Sequence, residues 1–146
     1  MTTPRISDQS FEQFLAEKRL MGSQCASCSQ IWVPPRPLCP DCHKNDMQWV
    51  EMAGTGTLAA FTSISICPPW MAQLGFGREN PYCTGVVRLD EGPRIVARID
   101  GVDARHPERI DIGLPLAIRF PDKRPDTPSD ASDDASPEPR WVFAHR

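Results

Sequence analysis

Four cysteines form two CxxC pairs, and these residues offer the clearest chemistry in the chain. Cys25 and Cys28 make the first pair, Cys39 and Cys42 the second, and ten residues separate the pairs. A two-residue gap lets both thiolates of a pair turn toward one ion while backbone amides point at the sulfurs. The two pairs together supply the four thiolates of a closed tetrahedral site, so the spacing predicts a structural Zn²⁺ bound by all four. Such a site has no open position for water or substrate.

Other interpretations of the cysteines stay open at this stage. The number of thiolates does not distinguish zinc from a rubredoxin-type iron centre. Disulfides would require an oxidising environment. Cys39–His43 also matches the CxxCH of covalent haem attachment, although this would leave Cys25 and Cys28 without a role. His43 directly follows Cys42 and is therefore poorly placed to replace a cysteine as a ligand.

The sequence does not predict a catalytic set. Cys67 and Cys83 could be nucleophiles, but buried thiols at strand ends are the simpler interpretation. His106 and His145 lie in polar surroundings and are expected at the surface. Nucleophile-elbow, phosphate-loop and dinucleotide-binding motifs are missing from the sequence. We therefore expect a protein that is not an enzyme when it acts alone.

The elements that must position these groups are short. Apolar spacing predicts a helix over 7–20, where Ser10 and Gln13 have the spacing of a capping box and Gly22 is a plausible stop. Alternation and turn residues then predict about five strands, at 55–66, 83–90, 94–100, 115–120 and 141–143. Five short strands that must close on themselves favour a small OB-fold barrel, with a small sandwich as the alternative. The predicted fold class is mostly β: a short N-terminal helix, a rubredoxin-like zinc ribbon and a five-stranded OB-fold barrel.

This pattern divides the chain into three parts. We expect an N-terminal helical arm over 1–22, a zinc ribbon over 23–52 and an OB-fold barrel over 53–146. Within the barrel, 122–140 is rich in Asp, Ser and Pro and predicts a disordered acidic loop before the last strand. That segment has six acidic and three basic residues, so it accounts for the whole net charge of −3.

Two groups of residues are candidates for contact with a ligand or partner. The loop over 67–82 is unusually apolar, and its Trp70 and Phe76 would anchor an interface or cap the end of the barrel. Arg88 and Arg98 lie in the predicted hairpin and could bind an anionic ligand. Alternatively, they belong to a solvated face and pair with Asp90 and Asp100.

Composition limits the class of protein further. The chain has 146 residues, 40% of them hydrophobic, and its charge gives no general support to nucleic-acid binding. Its first residues lack the apolar core of a secretory signal, and no apolar run approaches the roughly 18 residues of a membrane helix. A cytoplasmic location is expected.

The order of motifs resembles a known family. After the helix come the first CxxC, Trp32–Arg36 (WVPPR), the second CxxC and Gly54-Thr55-Gly56, then Val87–Arg94 (VRLDEGPR) and Ile112–Pro115 (IGLP). This combination resembles the acyl-CoA-associated zinc-ribbon/OB-fold family, also called domain of unknown function thirty-five, from about Phe11 to Phe120 and again at Trp141. The acidic segment over 122–140 departs from the family pattern.

The resemblance implies a role as a non-catalytic accessory subunit of a thiolase-like complex. Such a subunit joins a thiolase-fold partner in a hetero-oligomer and helps to bind or channel acyl-CoA thioesters. The family's zinc ligands correspond to the four cysteines of the two pairs, whereas no motif for CoA contact transfers residue by residue. Two alternatives remain: a single-stranded nucleic-acid-binding OB-fold module and a free-standing thioesterase.

Overall fold

The structure is a computed structural model that describes residues 3–121 and 141–145. The chain forms two compact units. The first consists of the described residues up to Gly56 together with Arg88–Ile95, and the second of Thr57–Val87 with the described residues from Val96 onward. The acidic loop predicted over 122–140 lies outside the described residues.

A single helix opens the first unit. Helix α1 spans Asp8–Ala16, and its N-cap is Ser7, whose side chain accepts a hydrogen bond from the backbone N–H of Ser10. The predicted capping box at Ser10 was therefore wrong, because Ser10 lies within the first turn and is buried there. The helix also ends earlier than predicted, since Lys18 has a φ of 61° and leaves the helical conformation.

Three strands form the sheet of the first unit, in the order β2-β1-β3. They are β1 (Met21–Cys25), β2 (Ile31–Trp32) and β3 (Met47–Glu51), and both neighbours run antiparallel to β1. Gly22, predicted to stop the helix, lies in β1 instead. A β-carbon there would come within 2.8 Å of the Val33 side chain, so the close packing of the strand requires glycine.

Five strands close into a barrel in the order β4-β5-β6-β8-β7. They are β4 (Thr55–Ile64), β5 (Tyr82–Leu89), β6 (Arg94–Asp100), β7 (Pro115–Arg119) and β8 (Val142–His145). Strand β8 pairs parallel to β6, with Ile99 opposite Phe143, and antiparallel to β7. Two backbone hydrogen bonds complete the closure. The N–H of Leu58 donates to the carbonyl of Leu114, and the N–H of Gly113 donates to the carbonyl of Leu58. The predicted mostly-β fold with a five-stranded barrel is confirmed.

The interior of the second unit follows from the alternation along its strands. Ala97 and Ile99 of β6 are buried. Val96 points to the opposite face of the strand and is 65% exposed. The four other strands of the barrel also contribute large buried side chains to this unit: Leu58, Val87, Leu116, Val142 and Phe143. Burial along β6 thus follows the alternation of its side chains.

The long predicted loop over 67–82 contains regular structure that its sequence did not predict. Helix α2 (Pro69–Ala72) forms one turn, and Gly77 pairs with Asn80 in a short bridge. Pro68 and Pro69 favour this turn, because proline is well accommodated at the start of a helix. Further along, a 3₁₀ helix spans Pro107–Arg109. Across the described part of the chain, we find no helix of the length and apolarity needed to span a membrane.

Candidate metal centre and ligand-facing loop

The four cysteines of the two CxxC pairs come together in the first unit. Their sulfur atoms all lie within 4.8 Å of one another. Cys25 Sγ lies 3.5 Å from Cys42 Sγ, and Cys28 Sγ lies 3.6 Å from Cys39 Sγ. An ion with four tetrahedral bonds of about 2.3 Å holds its sulfur ligands about 3.8 Å apart. The cluster therefore has the size and the donor set of a tetrathiolate metal site.

The two pairs are built on the same local backbone. In the first, the N–H of Ser29 bonds to the carbonyl of Cys25, and in the second, the N–H of His43 bonds to that of Cys39. Ser29 and His43 have φ angles of 65° and 61°, so both turns close through a left-handed residue. His43 therefore closes the second turn. Among the described residues, the clustered ligand atoms are all cysteine sulfurs.

Backbone amides aimed at the sulfurs favour thiolates. The N–H groups of Cys42 and then Asp41 lower the pKa of Cys39 to about 6, against the opposing effect of burial. The N–H of Cys28 likewise contributes most to the lowered pKa of Cys25, although burial opposes it. At Cys28 the N–H of Gln30 lowers the pKa, but burial and the neighbouring sulfur of Cys39 outweigh it and raise the pKa to about 12.

These opposed shifts have one physical origin. Sulfur atoms less than 4 Å apart repel one another when all are ionised, so some must keep a proton unless a cation lies among them. A divalent cation removes that repulsion and releases the remaining protons. The residues therefore fit the metal ion that the CxxC spacing predicts.

A buried hydroxyl supports the segment between the two pairs. Ser23 in β1 is fully buried, and its Oγ accepts a 2.8 Å hydrogen bond from the backbone N–H of Arg36. This bond ties the turn after Val33 to the central strand of the sheet. Sequence reasoning did not select Ser23, because its bond joins residues that are 13 positions apart along the chain.

Phe76 and Arg98, two of the predicted contact residues, touch each other in the second unit. The guanidinium of Arg98 lies 5.5 Å from the centroid of the Phe76 ring, and that ring meets Tyr82 edge to face at 5.2 Å. Arg98 also donates two hydrogen bonds to Asp100, and its side chain is only 13% exposed. The pairing of Arg98 with Asp100 was one of the two interpretations open from the sequence.

Trp70 and Arg88, the other two candidates, face solvent. Trp70 lies on α2 and is 52% exposed. Arg88 is exposed near the end of β5, within the part of the hairpin that belongs to the first unit. Trp70 thus exposes part of its ring on the surface of the second unit, whereas Phe76 and Arg98 are engaged in packing.

Two further contacts hold the loop that presents Trp70. Cys67 Sγ donates to the carbonyl of Phe76 at 3.4 Å, and Arg105 donates to the carbonyl of Glu79. Arg105 was not selected from the sequence, because its contact joins segments that are distant along the chain. The loop therefore has a defined conformation before any partner arrives.

The remaining candidate nucleophiles and bases are Cys83, Cys67 and His106. Cys83 is buried, and burial raises the pKa of its thiol, which disfavours the thiolate. Cys67 is engaged with the Phe76 carbonyl. His106 is exposed and lies 2.7 Å from Asp103 Oδ2, which raises the pKa of His106 chiefly through that hydrogen bond.

Fold and site together define a class: a small four-cysteine ribbon unit joined to an OB-fold barrel. A family model described as the ChsH2 rubredoxin-like zinc ribbon domain matches residues 13–48, and one described as the ChsH2 C-terminal OB-fold domain matches 49–121. The chain belongs to this ChsH2 family of zinc-ribbon/OB-fold proteins, to which the designation DUF35 also applies. The resemblance deduced from the motifs is thereby confirmed.

Relatives in other organisms carry names that refer to scaffolds and enzyme subunits. A "DUF35 domain-containing scaffold protein" of Methanocaldococcus jannaschii is 28% identical over 69% of this chain and 67% of its own. A "probable enoyl-CoA hydratase alpha subunit" of Thermomonospora curvata is 34% identical over 75% of this chain, but the match spans only 32% of that relative. The "benzoylsuccinyl-CoA thiolase subunit BbsA" of Thauera aromatica is 29% identical over 56% of this chain and 52% of its own.

Solved structures show the same architecture. A chain from a structure titled "Ltp2-ChsH2(DUF35) aldolase" aligns with a TM-score of 0.69 and 27% identity, over 98% of both chains. A DUF35-family protein from Sulfolobus solfataricus aligns with a TM-score of 0.62 and 16% identity over 94% of this chain, and this likeness concerns the fold alone. The chain thus belongs to a family of scaffold-like proteins whose relatives include proteins named as thiolase and hydratase subunits.

Proposed function

We propose that this protein is a non-catalytic accessory subunit of a thiolase-like complex, in which it helps to bind or channel acyl-CoA thioesters and acts as a scaffold for its partner. The observation that carries the proposal is the combination of an exposed, preformed aromatic loop with the absence, among the described residues, of a thiol or imidazole set arranged for catalysis. The names of relatives as thiolase and hydratase subunits support the same role.

In this proposal the metal is Zn²⁺, held by Cys25, Cys28, Cys39 and Cys42. The ion supplies only structural energy, because four thiolates complete its coordination. The chain's own residues do the rest: the two turns orient the sulfurs, and the sheet fixes the spacing of the pairs. A cytoplasmic location agrees with six cysteines that are all unpaired as disulfides.

We assign the contacts with the partner or the acyl-CoA to Trp70 first, with Arg88 as a second, charged contact. A tryptophan that is half exposed on a preformed loop loses little conformational freedom when it is buried in an interface. Phe76 and Arg98 serve this surface indirectly, because their stacking holds the loop. We propose that the chain divides into an arm over 1–22, a ribbon over 23–52 and a barrel over 53–146.

Co-purification with thiolase-fold proteins of the native host tests the proposal. We expect the tagged, metal-loaded chain to recover such a protein as a stable hetero-oligomer, and we expect acyl-CoA to bind the complex more tightly than either protein alone. Trp70→Ala should weaken the complex by at least about tenfold if the side chain is a central contact. Ile112→Ala is a matched control, because Ile112 is also an exposed apolar side chain.

Two results would overturn this function. Recovery of no thiolase-fold partner would remove the scaffold role, and thioester turnover by the isolated chain would show an enzyme in its own right. Binding of single-stranded nucleic acid at low salt, tested by gel shift, would instead support the alternative OB-fold function.

A further inference from the structure

A large cavity lies between the N-terminal segment and the sheet of the first unit. Its volume is about 850 Å³. The segment Thr3–Ile6 forms one wall, and the other wall consists of Pro37, Asn45, Met47, Gln48 and Trp49. Ligand sites in proteins commonly enclose about 300–1,000 Å³, so the space is large enough for several residues of an extended peptide.

Trp49 supplies the defining contact of this cavity. Its indole N–H donates a 2.8 Å hydrogen bond to the carbonyl of Pro4. The indole is held in place from behind, because the Phe14 ring packs against it edge to face with centroids 4.9 Å apart. Arg19 in turn lies 5.1 Å from the centroid of the Phe14 ring. The donor therefore has a fixed direction.

The segment seated on Trp49 shows which chemistry the cavity accepts. Thr3, Pro4 and Arg5 are exposed and lie outside any helix or strand, ahead of the N-cap Ser7. Carbonyls of an extended, proline-containing chain have no internal hydrogen bonds and remain available to a donor. A fixed aromatic side chain beside small apolar surfaces is the usual means of recognising such a chain.

The surrounding side chains complete this type of surface. Pro37 and Met47 offer apolar contact, and the amides of Asn45 and Gln48 can both donate and accept hydrogen bonds. None of the residues on the sheet side of the cavity is charged. The surface therefore suits an extended backbone of low charge better than a phosphate or a metal ion.

We propose that the cavity beside Trp49 is a binding site for an extended, proline-containing segment of a partner protein. In the free chain, the carbonyl of Pro4 accepts the hydrogen bond from the indole N–H of Trp49. A partner segment takes over the hydrogen bond from Trp49 and packs against the sheet side of the cavity as the chain's own segment moves aside. A hydrogen bond between exposed groups adds little net stability, so the exchange costs little.

The test uses the full-length, metal-loaded chain and two peptide probes, decaproline and a peptide with the sequence of Thr3–Ser7. The indole N–H signal of Trp49 is followed by two-dimensional NMR and is assigned by its loss in Trp49→Phe. We expect both probes to shift this signal saturably, and a copy of the second probe with alanine in place of proline to bind several-fold more weakly. Trp49→Phe keeps an aromatic ring but removes the indole donor, so the backbone amide signals of β3 should no longer shift saturably with either probe.

Pro4→Gly provides the complementary variant, since it loosens the chain's own segment without changing the sheet. Apparent affinity for the probes should rise several-fold, because a larger fraction of the sites is free. Absence of a saturable shift in Pro4→Gly at millimolar probe would overturn the proposal. A second result would also overturn it: the unchanged chain forms a dimer, and Pro4→Gly dissociates that dimer. The occupant of the cavity would then be the N-terminal segment of a second copy. Neither result depends on whether a thiolase-fold partner is found.

Discussion

The guanidinium of Arg98 lies 5.5 Å from the centroid of the Phe76 ring while two of its nitrogens donate to the carboxylate of Asp100. Asp100 also accepts a 2.6 Å hydrogen bond from Arg119. A residue on strand β6 thereby connects the aromatic loop to strand β7 through a shared carboxylate. The loop that presents Trp70 is consequently fixed to the barrel by polar contacts as well as by packing.

Arg98→Ala should destabilise the protein by about 1–3 kcal/mol, since it removes charge-assisted hydrogen bonds and a partly desolvated cation–π contact. Arg94→Ala is the matched control, because Arg94 is an exposed arginine on the same strand and its loss should change stability by less than about 0.5 kcal/mol. Chemical denaturation gives both values. Amide exchange over 67–81 should also accelerate in the Arg98 variant, and equal effects of the two variants would contradict the structural role.

Each of the four clustered cysteines should be necessary for metal binding. Cys39→Ser should lose stoichiometric metal in elemental analysis, because one thiolate of a closed tetrahedral set is missing. Cys67→Ser should retain the metal, since Cys67 lies in the second unit and contacts the Phe76 carbonyl. Retention of one zinc per chain by the Cys39 variant would refute the tetrathiolate assignment.

Chelation at reduced pH should unfold the first unit. Thiolates must be deprotonated to bind a metal, so affinity falls as the pH decreases. We expect a strong chelator to abolish the circular-dichroism and amide-exchange signatures of β1–β3, and added Zn²⁺ to restore them. An unchanged exchange pattern after verified metal removal would show that the sheet folds without the ion.

Gly56→Ala should be strongly destabilising, because a β-carbon at Gly56 would overlap the backbone carbonyl of Arg88. Backbone cannot move aside as a flexible side chain can, so the two strands must separate locally. Gly77→Ala is the control, since nothing lies within 4 Å of a β-carbon there. Thermal denaturation gives the Tm of both variants. A fall in Tm confined to Gly77→Ala would contradict this prediction.

The exposed pair of His106 and Asp103 should give a measurable pH dependence. The hydrogen bond with Asp103 raises the pKa of His106 above 6.5, and the same bond lowers the pKa of Asp103 below 3.8. His106 therefore contributes stability that is complete below pH 6.5 and is lost as the pH rises through its folded pKa. Asp103 contributes stability that is present above pH 3.8 and is lost as the pH falls through its own folded pKa.

NMR titration of the His106 ring measures this directly. Asp103→Asn should lower the pKa of His106 toward 6.5, although the charges of Glu108 and Arg105 still act on the ring. Asp111→Asn serves as the control, because this exposed acid is not among the groups that shift His106. An unchanged titration in Asp103→Asn would show that the pair does not form in solution.

The sequence by itself determined the metal centre and the type of fold. The gap of two residues within each CxxC pair brings its two sulfurs together, because it acts over only a few residues of backbone. Strand alternation likewise predicted the strand over 94–100, which the structure has as Arg94–Asp100, since side chains of a strand alternate between two faces. The order of motifs identified the family, and the two family models confirmed it.

Only the tertiary structure decided which polar residues pair with one another. Ser7 rather than Ser10 caps the helix, because capping depends on where the first turn begins, and packing of Phe11 and Leu15 sets that point. The stacking of Phe76 on Arg98 joins residues 22 positions apart in sequence, and the bond from Trp49 to Pro4 joins residues 45 apart. Contacts between residues so far apart in sequence arise from the path of the chain through the whole fold, so no local sequence pattern predicts them.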